Sequence, residues 1–278
     1  MAAKLQATDG GSLGLLDDLE VVEQVNADGQ GNFLIVCEHA ANHVPSALDN
    51  LGLSASLLQT HIAWDAGARG VAEALAVALD APMIAQRVSR LVYDCNRPPE
   101  STAAIPELSE IYPIPGNSEL TAAQRQDRVD AVYRPFHTAI ANHLRRRCAE
   151  GRPPVLVTVH SFTPVYRGVK RSVDIGVVCD TDCRLAEAVL RRARDSGQFD
   201  ARLNEPYGPA DEVTHTLVEH ALPLSLLNVM IEVRNDLIAD SDAQGAMAAW
   251  LAGCLTEALA TAALSTANRG AGYRSTGR

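Results

Sequence analysis

The chain has 278 residues, 47% of them hydrophobic and 21% charged, with 34 acidic against 24 basic side chains and a formal charge of −10. That length buries a large core in one domain, and the composition excludes disorder for most of it. The acid excess repels phosphate backbones and anionic lipid surfaces, so neither nucleic acid nor a membrane is an expected partner, and a small anion can be held only where arginines converge.

Residues 1–30 mix Gly, Asp and Gln with little periodicity and read as a loose N-terminal segment. Residues 31–264 read as one domain, and residues 265–278 as a disordered tail. Within the domain, Phe33–Cys37 is a strand that stops at the polar cluster Glu38, His39, Asn42, His43 and Pro45. Asp65 to Leu79 places Val71, Leu75 and Leu79 on one helical face. Met83–Ile84 and Leu91–Tyr93 are short strand candidates, the second delivering Asp94, Asn96 and Arg97 to its end. A helix opens at Thr121, where Gln124 completes a capping box, and runs toward Arg147 with a bend at Pro135.

Val155–Val159 is the clearest buried strand and leads directly into His160 and Ser161. Val173–Val178 is another strand, Arg184–Arg194 a helix and Leu226–Val233 a last core strand; a helix from Ala243 to Leu259 closes the domain. Apolar runs alternating with helical patterns predict an α/β domain with helices on both faces of the sheet. In such sheets the ligand crevice lies beyond the carboxyl ends of the strands. The polar clusters fall at those ends.

The six cysteines, Cys37, Cys95, Cys148, Cys179, Cys183 and Cys254, contain no CxxC pair. This argues against a disulfide scaffold and a cysteine-rich zinc module, and for a reducing cytoplasm. No signal peptide or membrane span is read: the N-terminus lacks an apolar stretch, and Ala246–Leu264 is Ala-rich and broken by Glu257.

His39 and His160 each follow a buried strand, where imidazole nitrogens suit a zinc site that leaves one position open for water. The third ligand is open between Asp65, Glu38 and, less favourably, the amide of Asn42. His43 could join His39 only on a helix, which Pro45 opposes. Glu232 interrupts the apolar run LLNVMIEV, where an ionised carboxylate is costly without a partner. It is either an ion-pair partner of an arginine such as Arg234, or a general base of raised pKa that passes a proton from the attacking water to the leaving nitrogen. Arg90, Arg97, Arg171 and Arg234 are the candidates for gripping a carboxylate bidentately. Asn96–Arg97 is placed firmly by the turn at Pro98–Pro99, and Arg90 could instead stabilise a forming oxyanion. His137 reads as a packing histidine. No GxGxxG, Walker loop, GxSxG or HExxH is present. Ser161 and His160, adjacent on a strand, point to opposite faces and make no nucleophilic pair.

Six ordered blocks carry a resemblance: CEHAANHVP at 37–45, HIAWDAGARGVAEALA at 61–76, SRLVYDCNRP at 89–98, YRPFH at 133–137, VTVHSF at 157–162 and IEVRND at 231–236. The chain resembles the N-formylglutamate amidohydrolase family, which is similar in turn to zinc carboxypeptidases and aspartoacylase-like deacylases. The resemblance implies a zinc-carboxypeptidase-like fold with a central mixed, largely parallel sheet between helices, and zinc or another divalent metal assisting amide hydrolysis on a small anionic N-acyl amino acid. It implies His39 and His160 as metal ligands, Glu232 as base, Arg90 as the group polarising the scissile carbonyl, and Asn96–Arg97 as the carboxylate holder. Arg171 and Arg234 are further substrate-binding candidates. The wider group carries HxxE where this chain has Asn42, so the acidic ligand comes from elsewhere, with Asp65 first and Glu38 second. The rival readings are a zinc peptidase-like hydrolase of short peptides or cell-wall fragments, and a non-catalytic carboxylate-binding domain. The oligomeric state, a homo-oligomer included, stays open.

Overall fold

The structure, a computed structural model, describes residues 20–271, with side chains described through residue 261. Eleven strands occur in this range: β1 Val22–Val25, β2 Phe33–Cys37, β3 Met83–Gln86, β4 Leu108–Ser109, β5 Tyr112–Pro113, β6 Val155–Phe162, β7 Val165–Tyr166, β8 Val169–Lys170, β9 Ile175–Val178, β10 Ala201–Leu203 and β11 Asn228–Arg234. Six α-helices accompany them: α1 Ala55–Leu58, α2 Ala68–Ala78, α3 Ala122–Arg128, α4 Arg134–Ala149, α5 Arg184–Ser196 and α6 Ser241–Ala271.

Seven strands form one sheet in the order β1-β3-β2-β6-β11-β9-β10. The central β3, β2, β6 and β11 are mutually parallel, while β1 on one side and the β9–β10 pair on the other run against them. The sheet is therefore mixed and largely parallel. Strand periodicity divides its side chains between two cores. Phe33, Ile35, Val157, Ile231 and Val233 pack with α2, α5 and α6, whereas Leu34, Val36, Leu156 and Met230 pack with Phe136, Ile140 and Leu144 of α4. Burial on both faces explains why β2, β6 and β11 are continuous apolar runs.

Several elements differ from the sequence expectation. Residues 22–25, assigned to the loose N-terminal segment, form the edge strand β1; residues 1–19 of that segment lie outside the described residues. Leu91–Tyr93 is a buried turn rather than a strand. Ser89 accepts from the N–H groups of Val92 (2.9 Å) and Tyr93 (3.4 Å), and its hydroxyl accepts from Leu91 N–H (3.2 Å), so the segment meets its hydrogen bonds locally and needs no ladder. The Thr121–Gln124 capping box is present. Pro135 lacks the N–H that would close on Ala131, and the ladder widens into a π-turn over Val129–Tyr133. Helix α6 continues to Ala271, into the expected tail, the rest of which lies outside the described residues. Cys179 and Cys183 are disulfide-bonded, a local clip between the end of β9 and the start of α5, and Cys37, Cys95, Cys148 and Cys254 are free. No helix among the described residues is long and apolar enough to cross a membrane.

Candidate active site

Three parallel strands bring the reactive groups to one edge. His39 lies just past β2, His160 near the end of β6, and Glu232 on β11 directly across from His160 in the parallel register. Alternation puts His160 and Glu232 on the same sheet face. Gly176 on β9 stands opposite Glu232, where a Cβ would lie 3.0 Å from the Glu232 Cβ, so the missing side chain gives the carboxylate its room.

Asp65 arrives from the loop before α2, fixed by its N–H donating to the His39 carbonyl at 3.0 Å. The buried turn after β3 supplies Arg90 and Asp94. Arg128 anchors this turn by donating to the Val92 carbonyl and to Asn117, which in turn donates to the Leu91 carbonyl.

His39 Nδ1, His160 Nδ1 and Asp65 Oδ2 converge at mutual distances of 3.2, 2.9 and 3.2 Å. All three residues are buried. The far nitrogens face other carboxylates: His39 Nε2 lies 2.7 Å from Asp94 Oδ1, and His160 Nε2 lies 3.0 Å from Glu38 Oε2, an ion-pair distance outside good hydrogen-bond alignment. With the Nε2 protons turned toward these carboxylates, both Nδ1 lone pairs and the Asp65 oxygen can face one shared cation; without a cation, a proton on His160 Nδ1 donating to Asp65 Oδ2 answers the same need. Two imidazoles and a carboxylate, each imidazole backed by a second carboxylate, are the donor chemistry of a divalent transition-metal site. The residues fit the group that the sequence implies.

The charges fit the same arrangement. Burial raises the Asp65 carboxyl, but the facing His39, hydrogen bonding from His160 and the Arg90 guanidinium hold it far below the usual range. Asp94 is likewise lowered against its burial by His39 and Arg90, and Glu38 by His160. In the absence of a cation, the Glu38 and Asp65 carboxylates overcome burial and keep His160 protonated well above its ordinary range. Arg90 bridges Asp65 Oδ1 (3.2 Å) and Asp94 Oδ2 (2.8 Å) and still lines the cleft. Glu232 behaves oppositely. Burial dominates and pushes its pKa up to about 7, and its Oε2 has no hydrogen-bond partner.

These groups line a cleft of about 430 Å³ that also admits Asn96, Arg97, Arg167 and Tyr207. Other sequence candidates are placed elsewhere. Asn42 donates to the Leu58 carbonyl, His43 is exposed, and Glu38 backs His160 instead of joining the three-donor cluster. Asn96 lines the cleft, and its amide ties the wall to the 213–216 loop by donating to the Val213 carbonyl and accepting from Thr216 N–H. Arg97 lines the cleft while donating to the Asn96 and Glu212 carbonyls. Arg234 does not line it: Asp174 (2.6 Å) and Asp236 (2.7 Å) claim its guanidinium. Arg171 is also behind the wall, close to the rings of Tyr166, Tyr207 and Phe162 and donating to the Tyr207 hydroxyl at 2.7 Å. Asp94 and Tyr207 went unassigned in the sequence; for Asp94 the signal was its i,i+4 spacing from Arg90. His137 is a packing histidine bonded to His220 and to the Cys95 carbonyl.

The fold is a mixed α/β sheet with its polar machinery at the carboxyl ends of a parallel core, and the family the chain belongs to makes it a hydrolase of amide bonds. Residues 31–239 match the N-formylglutamate amidohydrolase family, and the chain belongs to that family. The crystal structure of a gene product from Agrobacterium tumefaciens superposes with a TM-score of 0.86 at 50% identity, covering 88% of this chain and 97% of that one. An N-formylglutamate amidohydrolase from Ralstonia eutropha shares the fold with a TM-score of 0.61 at 16% identity, over 91% of this chain and 100% of that one. A search among functionally curated proteins gave no match.

Proposed function

We propose that the chain is a divalent-metal amidohydrolase, with zinc the first candidate, that removes a formyl group from an acidic amino acid such as N-formyl-L-glutamate. The observation that carries this reading is the convergence of His39 Nδ1, His160 Nδ1 and Asp65 Oδ2 beside an unpartnered Glu232 oxygen. A metal ion held there supplies a Lewis acid and lowers the pKa of water. Glu232, near neutrality, takes a proton from the attacking water and returns it to the leaving nitrogen. Arg90, immobilised by two carboxylates, presents its guanidinium toward the developing oxyanion. Arg97 at the cleft wall holds a substrate carboxylate and sets the amide in register. Asp94 and Glu38 orient the two imidazoles.

A cytoplasmic location is part of this reading: four cysteines are free thiols, and the Cys179–Cys183 disulfide is a local clip rather than a cross-link between distant elements. The test is release of formate from N-formyl-L-glutamate by the purified protein, with loss on treatment with a chelator, return on adding zinc, and near-stoichiometric metal in the active preparation. A panel of N-acyl amino acids and dipeptides assayed in parallel separates this reading from a peptidase. No turnover of any N-acyl amino acid by metal-loaded protein overturns it.

A further inference from the structure

One cation in the cleft has no place in the scheme above. Arg167 lines the same cleft as His39, Asp65, Arg90 and Glu232 but sits at the tip of the β7–β8 hairpin. Val165 pairs with Lys170 and Tyr166 with Val169, leaving a two-residue loop of Arg167 and Gly168 with φ of 48° and 79°. Positive φ at both positions is the type I′ geometry, whose first place favours Asn, Asp or Gly. An arginine there holds a conformation that its Cβ disfavours, so the side chain, not the turn, accounts for the residue.

The hairpin is braced for such a role. The Arg167 guanidinium lies 5.3 Å from the Tyr166 ring, and Arg171, just past β8, lies 4.6 Å from the same ring and is hydrogen-bonded to Tyr207 in the cleft wall. The three cleft arginines differ in what they have left to offer. Arg90 is neutralised by Asp65 and Asp94, and Arg97 already donates to two carbonyls. Arg167 is exposed and forms no ion pair among the described residues.

We propose that Arg167 is a specificity-determining residue that receives a second anionic group of the substrate, remote from the scissile amide, while Arg97 takes the nearer carboxylate. This assignment rests on the amidohydrolase reading and adds to it the residue that tells a dicarboxylic substrate from a monocarboxylic one. A planar guanidinium on an open tip binds such a carboxylate through two parallel hydrogen bonds.

The test compares N-formyl-L-glutamate with N-formyl-L-glutamine, an isostere whose side chain is uncharged while the α-carboxylate remains, in the native enzyme, Arg167→Asn and Arg167→Lys. Arg167→Asn is expected to raise KM for the diacid about 10- to 100-fold, the range for one charged hydrogen-bonding partner, with kcat held and with the preference over the amide falling by the same factor. Its melting temperature stays level or rises, since Asn suits the turn, and Arg167→Lys recovers part of the preference. An unchanged ratio of kcat/KM for the two substrates in Arg167→Asn overturns the proposal. Calorimetric binding of glutarate against butyrate separates it from the reading beneath: a glutarate preference that Arg167→Asn abolishes upholds the subsite even in a protein that hydrolyses neither substrate, and equal binding of the two probes to the native protein refutes it.

Discussion

Asp94→Asn keeps the shape of the side chain and removes its charge. Asp94 Oδ1 accepts from His39 Nε2 (2.7 Å) and from the Asn96 N–H (2.9 Å), and Oδ2 accepts from Arg90 Nη2 (2.8 Å). An amide has one oxygen, so two orientations compete. With the oxygen toward His39 and Asn96, the new NH2 opposes Arg90, whose side chain is 30% exposed and can turn to water. With the oxygen toward Arg90, the NH2 opposes the Asn96 N–H, and a buried donor left unanswered costs about 1–3 kcal/mol; His39 must also shift its proton onto Nδ1. The first orientation wins. It preserves the tautomer that frees Nδ1, but it exchanges a charged acceptor for a neutral one of about half the strength. Metal affinity is therefore expected to fall about 10-fold, at the lower end of the range for such orienting partners, while the far-UV spectrum is unchanged. Asp94→Ala, which leaves both His39 Nε2 and the Asn96 N–H unanswered, loses more. Competition with a chromophoric chelator measures both. Native affinity in both variants would refute the assignment of Nδ1 as the liganding atom and of Asp94 as its orienting partner.

Three further outcomes follow from the geometry. With the Glu232 pKa pushed up to about 7 by burial, kcat/KM rises with pH through about 7 and levels above it, and Glu232→Gln loses this limb along with roughly 10²- to 10⁴-fold in rate; a native pH–rate profile flat from pH 5 to 8 contradicts the base assignment. Gly176→Ala forces a methyl to within 3.0 Å of the Glu232 Cβ and 2.4 Å of the Glu205 carbonyl, so thermal unfolding should show a loss of about 1–3 kcal/mol, with kcat reduced more than KM is raised; native stability and kcat would count against the tight fit. Burial lowers His137 to about 3 and His220 to about 4, so below their unfolded value near 6.5 the unfolded chain takes up protons that the native state refuses, and stability falls as pH falls toward 4. At pH 5 each imidazole kept neutral costs about 2 kcal/mol. His220→Gln, which retains an N–H for His137 Nδ1, should flatten the urea midpoint between pH 7 and 5, and an unaltered slope speaks against this source of acid sensitivity.

The parts of the molecule legible in the sequence are those governed by local pattern. β2, β6 and β11 are buried on both faces and spell unbroken apolar runs; His39, His160 and Glu232 stand out because each ends or interrupts one. The Thr121 cap is legible for the same reason, since its partner is three residues away. Edge strand β1 is short and half polar, VEQV, and its pairing with β3 depends on a chain segment about 60 residues on. Arginine reach is harder still. In the sequence Arg234 and Arg171 look no different from Arg97, but Asp174 and Asp236 draw one away and three aromatic rings hold the other, and those neighbours meet only in the fold. The pairing of Asp94 with His39 and of Glu38 with His160 likewise depends on which nitrogen each ring turns inward.

That reciprocal pairing restricts how the site could decay over evolutionary time. A lineage that dropped His39 alone would take from the buried Asp94 its nearest counter-charge, and one that dropped His160 would take from the buried Glu38 the charge that chiefly keeps it ionised, a burden of several kcal/mol in either case. Inactive descendants of this scaffold should therefore exchange histidine and acid together, and sequences that have lost one while keeping the other should be scarce among stable homologues.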